Sequence, residues 1–80
     1  VSRARNVVEV VARALAARPE EVHVTEIDRR GTTIVELSMA PGELGRAIGR
    51  QGRTAAAVRT LAAAAAELDG ARVSVEFVDD

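Results

Sequence analysis

Cysteine, lysine, tryptophan and tyrosine are all missing from this chain, and Phe77 is its one aromatic ring apart from the imidazole of His23. Without cysteine there are no disulfides and no thiolate metal sites, and a reducing, cytoplasmic compartment is compatible with the composition. Without rings to fill it, the core has to be aliphatic. No apolar run approaches the roughly 18 residues needed to cross a bilayer, and Val1 to Asn6 lack the hydrophobic centre of a signal peptide before Glu9 and Arg13 intervene. The expectation is a soluble, cytoplasmic chain with no membrane partner. Nothing suggests catalysis either: no nucleophile sits with a base, and no carboxylates pair as they would in a pocket. No enzymatic activity, cofactor or metal is expected.

What is present suits a small folded domain. A length of 80 residues allows one domain and one core, and the apolar fraction of 48% belongs to a globule rather than a disordered tail. At about 0.05–0.15 kcal/mol per residue the fold holds together by on the order of 4–12 kcal/mol, so each locally unfavourable residue needs a reason. The net charge of −1 argues against a general polyanion binder. Its distribution points the other way. From Leu44 to Ala66 there are four arginines, Arg46, Arg50, Arg53 and Arg59, and no Asp or Glu, while the acids crowd toward the two ends.

Periodicity supplies the elements. Val7, Val8, Val11, Ala14 and Leu15 recur at helical spacing between Arg3 and Ala17, with Arg3, Glu9 and Arg13 turned away, and Pro19 stops the helix. Val22 to Ile27 is rich in β-branched residues, Asp28 to Gly31 is turn-prone, and Thr32 to Met39 alternates Val35, Leu37 and Met39 with Glu36 and Ser38. This predicts a hairpin, with a slip in the alternation between Val24 and Ile27 that allows a bulge or a shorter first strand. Pro41 and Glu43 suit the first turn of a short helix that carries Leu44, Ala47 and Ile48 on one face and ends at Gly49. A longer helix starts near Arg53, with Thr54, Val58, Leu61, Ala62, Ala65 and Leu68 on a common stripe, and closes at Asp69-Gly70. Arg72 to Val78 alternates as a strand. The order helix, strand, strand, helix, helix, strand predicts an α+β domain. Its last strand returns by a helical crossover to lie parallel to a neighbour, in a three-stranded mixed sheet covered on one face by the helices.

The glycines carry the functional information. Four of the six, Gly42, Gly45, Gly49 and Gly52, fall within eleven residues whose flanks are helical. Each costs about 1 kcal/mol against alanine inside a helix, a noticeable share of a small total. Turn geometry alone explains Gly49 as a helix cap and Gly52 in part, but neither Gly45 nor the placement of Arg50 and Gln51 at the tip. A phosphate ligand explains more: bare backbone allows close approach, the N–H groups of Gly52, Arg53 and Thr54 lie at the positive end of the following helix, and Arg50 adds a mobile charge. Mononucleotide motifs do not fit, because there is no G-x-G-x-x-G, no Gly-Lys pair follows, and the turn joins two helices rather than a strand and a helix.

Ile48-Gly49-Arg50-Gln51-Gly52-Arg53-Thr54 resembles the I-G-x-x-G signature of KH domains, in the element order of the bacterial, type II form of that fold. Met39-Ala40-Pro41 through Arg59-Thr60-Leu61 and the closing Arg72 to Val78 resemble the small stand-alone bacterial KH proteins of the KhpA family, formerly YlqC. The resemblance implies that residues 1–80 form a single KH domain that binds single-stranded RNA with low sequence specificity, as a post-transcriptional regulator or RNA chaperone. Gly49, Arg50, Gln51 and Gly52 would grip the backbone of about four nucleotides, while Leu44, Gly45 and Ile48 wall a groove for the bases. Arg46, Arg53 and Arg59 would add field around that groove, and Thr54 would serve as a phosphate ligand or helix cap. Family members often carry lysines in and after this loop, where this chain has Arg50 and the uncharged Ala57. The resemblance also implies a homodimer, or a heterodimer with a larger RNA-binding protein of the KhpB/Jag type. The alternative is an assembly module whose loop is a relic and whose surfaces are the Ala-rich helix and an open sheet edge. His23 is read as a surface or structural residue, and Arg29-Arg30 as a solvated hairpin tip.

Overall fold

The computed structural model describes residues 1–79. Helix α1 (Arg3–Leu15) leads through a single 3-10 turn at Pro19–Glu21 into the hairpin β1 (His23–Arg29) and β2 (Thr32–Ser38). A short helix α2 (Leu44–Ile48), a second 3-10 turn at Arg50–Gly52 and the long helix α3 (Arg53–Leu68) then lead to β3 (Arg72–Phe77). The strands form one sheet in the order β1-β2-β3, antiparallel between β1 and β2 and parallel between β2 and β3. This is the α+β, type II KH arrangement. Alternation decides which side is covered: Val24, Val35, Leu37 and Val75 point to one face and bury against Ala4, Val8 and Ala12 of α1, Ala47 of α2, and Val58, Ala62 and Ala66 of α3.

The helix ends are tied by named groups. Ser2 caps α1, its hydroxyl accepting from the Arg5 N–H at 3.1 Å and donating to Glu26 of β1 at 2.6 Å. Asp69 accepts from the Arg3 N–H at 3.0 Å and from its guanidinium at 2.8 Å, placing an anion at the start of α1, while Arg3 also donates to the Leu68 carbonyl at the end of α3. Gly70, at φ +68°, closes α3 in a Schellman arrangement, with bonds from its N–H to Glu67 and from Ala71 to Ala66.

Three expectations need correcting. First, α1 ends at Leu15, short of Ala17, because the carboxylate of Glu43 accepts from the N–H groups of Ala17 and Arg18 and draws the chain out of the helix before Pro19 is reached. Second, the hairpin has neither a bulge nor a shortened strand: His23 to Arg29 pairs without a break against Ser38 to Thr32, and Ile27 faces outward opposite Ile34. Its reversal takes only Arg30 and Gly31, both at positive φ (52° and 84°), which matches the twist of paired strands. Third, the buried stripe of α3 is Ala55, Val58, Ala62, Ala65 and Ala66, and Leu61 and Leu68 stand outside it with 52% and 73% exposure.

Candidate nucleic-acid interface

The chain leaves β2 through a reverse turn in which the Glu43 N–H donates to the Ala40 carbonyl at 3.0 Å, with Pro41 second and Gly42 third at φ +82°. That is the sequence a type II turn requires, so Pro41 and Glu43 do not sit in the first turn of α2 as expected. Glu43 instead precedes α2 with its side chain only 8% exposed. Besides accepting from Ala17 and Arg18, it faces the Arg18 guanidinium at 3.6 Å and that of Arg46 at 3.8 Å. This carboxylate pins the base of α2 to the end of α1, and nothing in the sequence marks it for that role.

Gly49 ends α2, its N–H donating to the Gly45 carbonyl at 2.8 Å, and takes φ 76°, ψ 173°, a conformation that only glycine adopts readily. A Cβ on Gly49 would fall 2.2 Å from the Thr54 hydroxyl oxygen, so the start of α3 packs directly on this backbone. Gln51 (φ 57°) and Gly52 (φ 72°) follow in left-handed conformations, and the chain reverses into α3. Arg50, Gln51 and Arg53 are exposed, while Gly49, Gly52 and Thr54 are half-buried.

The amides are disposed differently from the sequence expectation. The Gly52 N–H donates to the Gly49 carbonyl at 3.1 Å and the Arg53 N–H turns to the Arg50 carbonyl, so both are spent inside the turn. The N–H groups of Arg50 and Gln51, at the tip, have no such acceptor among the described residues. Two of the three N–H groups that helix-terminus reasoning leaves free are therefore taken, and the tip of the bend supplies donors in their place.

Around this turn the expected residues separate. Gly45 is exposed, with open space where a Cβ would be, and Ile48 is 36% exposed beside it. Leu44 is half-buried against the core and contributes packing more than surface. Among the described residues neither Arg50 nor Arg53 has an ion-pair partner, whereas Arg46 leans toward Glu43. Arg59 departs most from expectation: its guanidinium donates to the Val75 carbonyl of β3 at 3.2 and 3.3 Å and lies over the Phe77 ring, 5.0 Å from its centroid. Sequence reasoning missed Val75 and Phe77 as parts of this surface, although Phe77 is the single aromatic of the chain.

The family model for the KhpA/KhpB KH domain matches residues 5–77. This chain belongs to that family. Among the relatives of this KhpA/KhpB domain, the RNA-binding protein KhpA of Clostridium perfringens is 40% identical over 74 residues, 92% of this chain and 99% of that one. KhpA of Caldanaerobacter subterraneus is 45% identical over 71 residues, 89% of this chain and 95% of its own. KhpA of Aquifex aeolicus is 39% identical over 79 residues, 99% of this chain and 100% of its own. A crystal structure of Aquifex aeolicus Era bound to GDP.AlF4- matches 92% of this chain with a TM-score of 0.64 and 20% identity. The matching part is 29% of that protein, so the likeness is one of fold. Among the described residues no helix is long and apolar enough to cross a membrane.

Proposed function

We propose that this domain binds single-stranded RNA at the bend between α2 and α3, with residues 1–80 acting as one KH unit. The observation that carries the proposal is the Gly49–Gly52 turn itself, with Arg50 and Gln51 exposed at its tip. Among the described residues the side chains of Arg50 and Arg53 have no ion-pair partner and the N–H groups at its tip have no backbone acceptor. No acid lies between Leu44 and Ala66 to oppose a phosphate there. The relatives carrying the name RNA-binding protein KhpA support the same ligand. In this mechanism the turn grips the sugar-phosphate backbone of about four nucleotides. Gly45 and Ile48 form the wall against which a base lies, and Arg46 and Arg53 add positive field. A surface that is aliphatic and backbone-rich favours low sequence specificity, which suits an RNA chaperone or post-transcriptional regulator in the cytoplasm.

The test is fluorescence anisotropy with short labelled RNAs, using the wild-type protein and the double variant Arg50→Asp, Gln51→Asp. Both positions are exposed and Asp tolerates the left-handed conformation of residue 51. The variant should melt like the wild type and lose binding at all salt concentrations. Unchanged binding by a folded variant would remove the turn from the mechanism.

A second activity, assembly, is favoured by one specific observation. Ala57, Leu61, Ala64 and Leu68 form an exposed apolar stripe along α3, and the two leucines are the large members. Such a stripe suits another copy of this chain or a KhpB-type partner, on a face of α3 distinct from the RNA-binding turn. Light scattering of the wild type against Leu61→Gln, Leu68→Gln without RNA should show a larger mass for the wild type. Equal masses at every concentration would leave the stripe without a self-association role.

A further inference from the structure

Unstacked bases can also lie on aromatic rings or on arginine guanidinium planes, and this chain has no Trp, no Tyr and one Phe. Arg59 supplies a plane of another kind. Its Nε and Nη2 both donate to the Val75 carbonyl, at 3.3 and 3.2 Å, and its Cζ lies 5.0 Å from the centre of the Phe77 ring. Two bonds to one oxygen and a ring beneath hold the guanidinium flat, so a side chain that is ordinarily flexible is already ordered before a ligand arrives. Arg59 is nevertheless exposed, which leaves the side away from Phe77 open.

The position suits a base delivered from the glycine turn. Arg59 lies seven residues beyond Gly52, about two turns and roughly 10 Å along α3 on nearly the same face. Ala56, between them on that face, is small and exposed, so nothing bulky separates the turn from the guanidinium. Val75 belongs to β3, an edge strand, so the guanidinium sits at the border of the sheet. The contacts use Nε–H and one Nη2–H and put Phe77 on one face, so what they fix in place for a ligand is the plane of the guanidinium.

We infer that Arg59 is the base-stacking platform of this domain, taking a nucleobase on the outer face of its guanidinium while Val75 and Phe77 hold it from behind. The inference rests on the RNA-binding role proposed above. It assigns this arginine a part in base selection rather than in charge neutralisation, with purines favoured over pyrimidines at one position because their larger π-face stacks better.

The experiment measures the affinity of wild type and Arg59→Lys for short adenine-rich oligonucleotides in which one abasic unit is walked along the strand. In the wild type, one abasic position should weaken binding about tenfold, within the range for loss of a single stacking contact. Arg59→Lys keeps the charge and loses the plane. It should bind the intact strand about tenfold more weakly and become indifferent to that same abasic position, with its salt slope unchanged. Wild-type affinity in Arg59→Lys, abasic and Lys effects that multiply independently, or a salt slope that falls by roughly 0.7 in Arg59→Gln would each overturn the inference. Because these variants also release the edge of β3, the Arg59 Nε–H resonance is followed in the wild type during titration. An upfield shift from a stacked ring is expected, and no shift, or a downfield one from a phosphate, would contradict it. Failure of the RNA-binding role itself looks different, as absent wild-type binding or full binding by Arg50→Asp, Gln51→Asp.

Discussion

At Gly45 a hydrogen atom stands where helix propensity favours a methyl group. Its backbone φ is not positive, and nothing lies within 4 Å of where a Cβ would be, so no internal contact demands glycine. Replacing it with alanine should stabilise the fold by about 0.5–1 kcal/mol, read as a higher urea midpoint, while weakening RNA binding in the anisotropy assay. Both effects rising together would show that the open backbone is not a contact surface. Gly49 is the opposite case. There Ala would meet the Thr54 hydroxyl in a backbone conformation it resists, and a loss on the order of 1–3 kcal/mol is expected from the strain alone. The sequence made both residues conspicuous by crowding glycines into helical surroundings. It did not separate them, because the difference lies in what each Cα faces.

The elements themselves were largely legible, since an alternation of Val and Leu with polar residues has one physical outcome in a strand. What escaped was decided by contacts between elements. The end of α1 is set by Glu43, twenty-eight positions beyond Leu15, taking two backbone N–H groups. In α3 a leucine outranks alanine as a core candidate, yet the run from Ala62 to Ala66 lets the helix approach its neighbours closely and leaves Leu61 and Leu68 outside. The α1–β1 contact offers a test by pH. Glu26 is held below its ordinary value of 4.5, first by the hydroxyl of Ser2 and then by the Ser2 N–H. Glu9 is lowered likewise by the Arg5 guanidinium. Depressed carboxyls contribute fully above 4.5, and that contribution fades as pH falls through the lower folded-state values. Denaturation from about pH 6 to about pH 3 should therefore show Glu26→Gln less stable than wild type at the upper end and the gap closing toward the lower. A constant gap would show that the Ser2 contact does not depend on the charge.

Across the whole molecule a net charge of −1 coexists with an acid-free stretch that folds into α2, the bend and most of α3. That juxtaposition was readable from the spacing of Arg46, Arg50, Arg53 and Arg59. Their division of labour was not, because the Val75 carbonyl and the Phe77 ring that engage Arg59 come from the far end of the chain. With Arg59 assigned to a base, three arginines remain for phosphates, and log affinity against log salt should have a slope near −2, from about −0.7 per contact on a single strand. A slope near −3 would return Arg59 to the phosphate set, and a flat line would remove the electrostatic role altogether. The most direct test of the site is an amide chemical-shift titration of the wild-type domain with a short single-stranded RNA. Shifts should concentrate at Gly45, Ile48 and Gly49 to Thr54 and extend to Val75 and Phe77, with the hairpin tip at Arg29 to Gly31 unmoved. Shifts confined to the hairpin tip or to the Leu61–Leu68 face of α3, or no shifts at all, would contradict binding at the glycine turn.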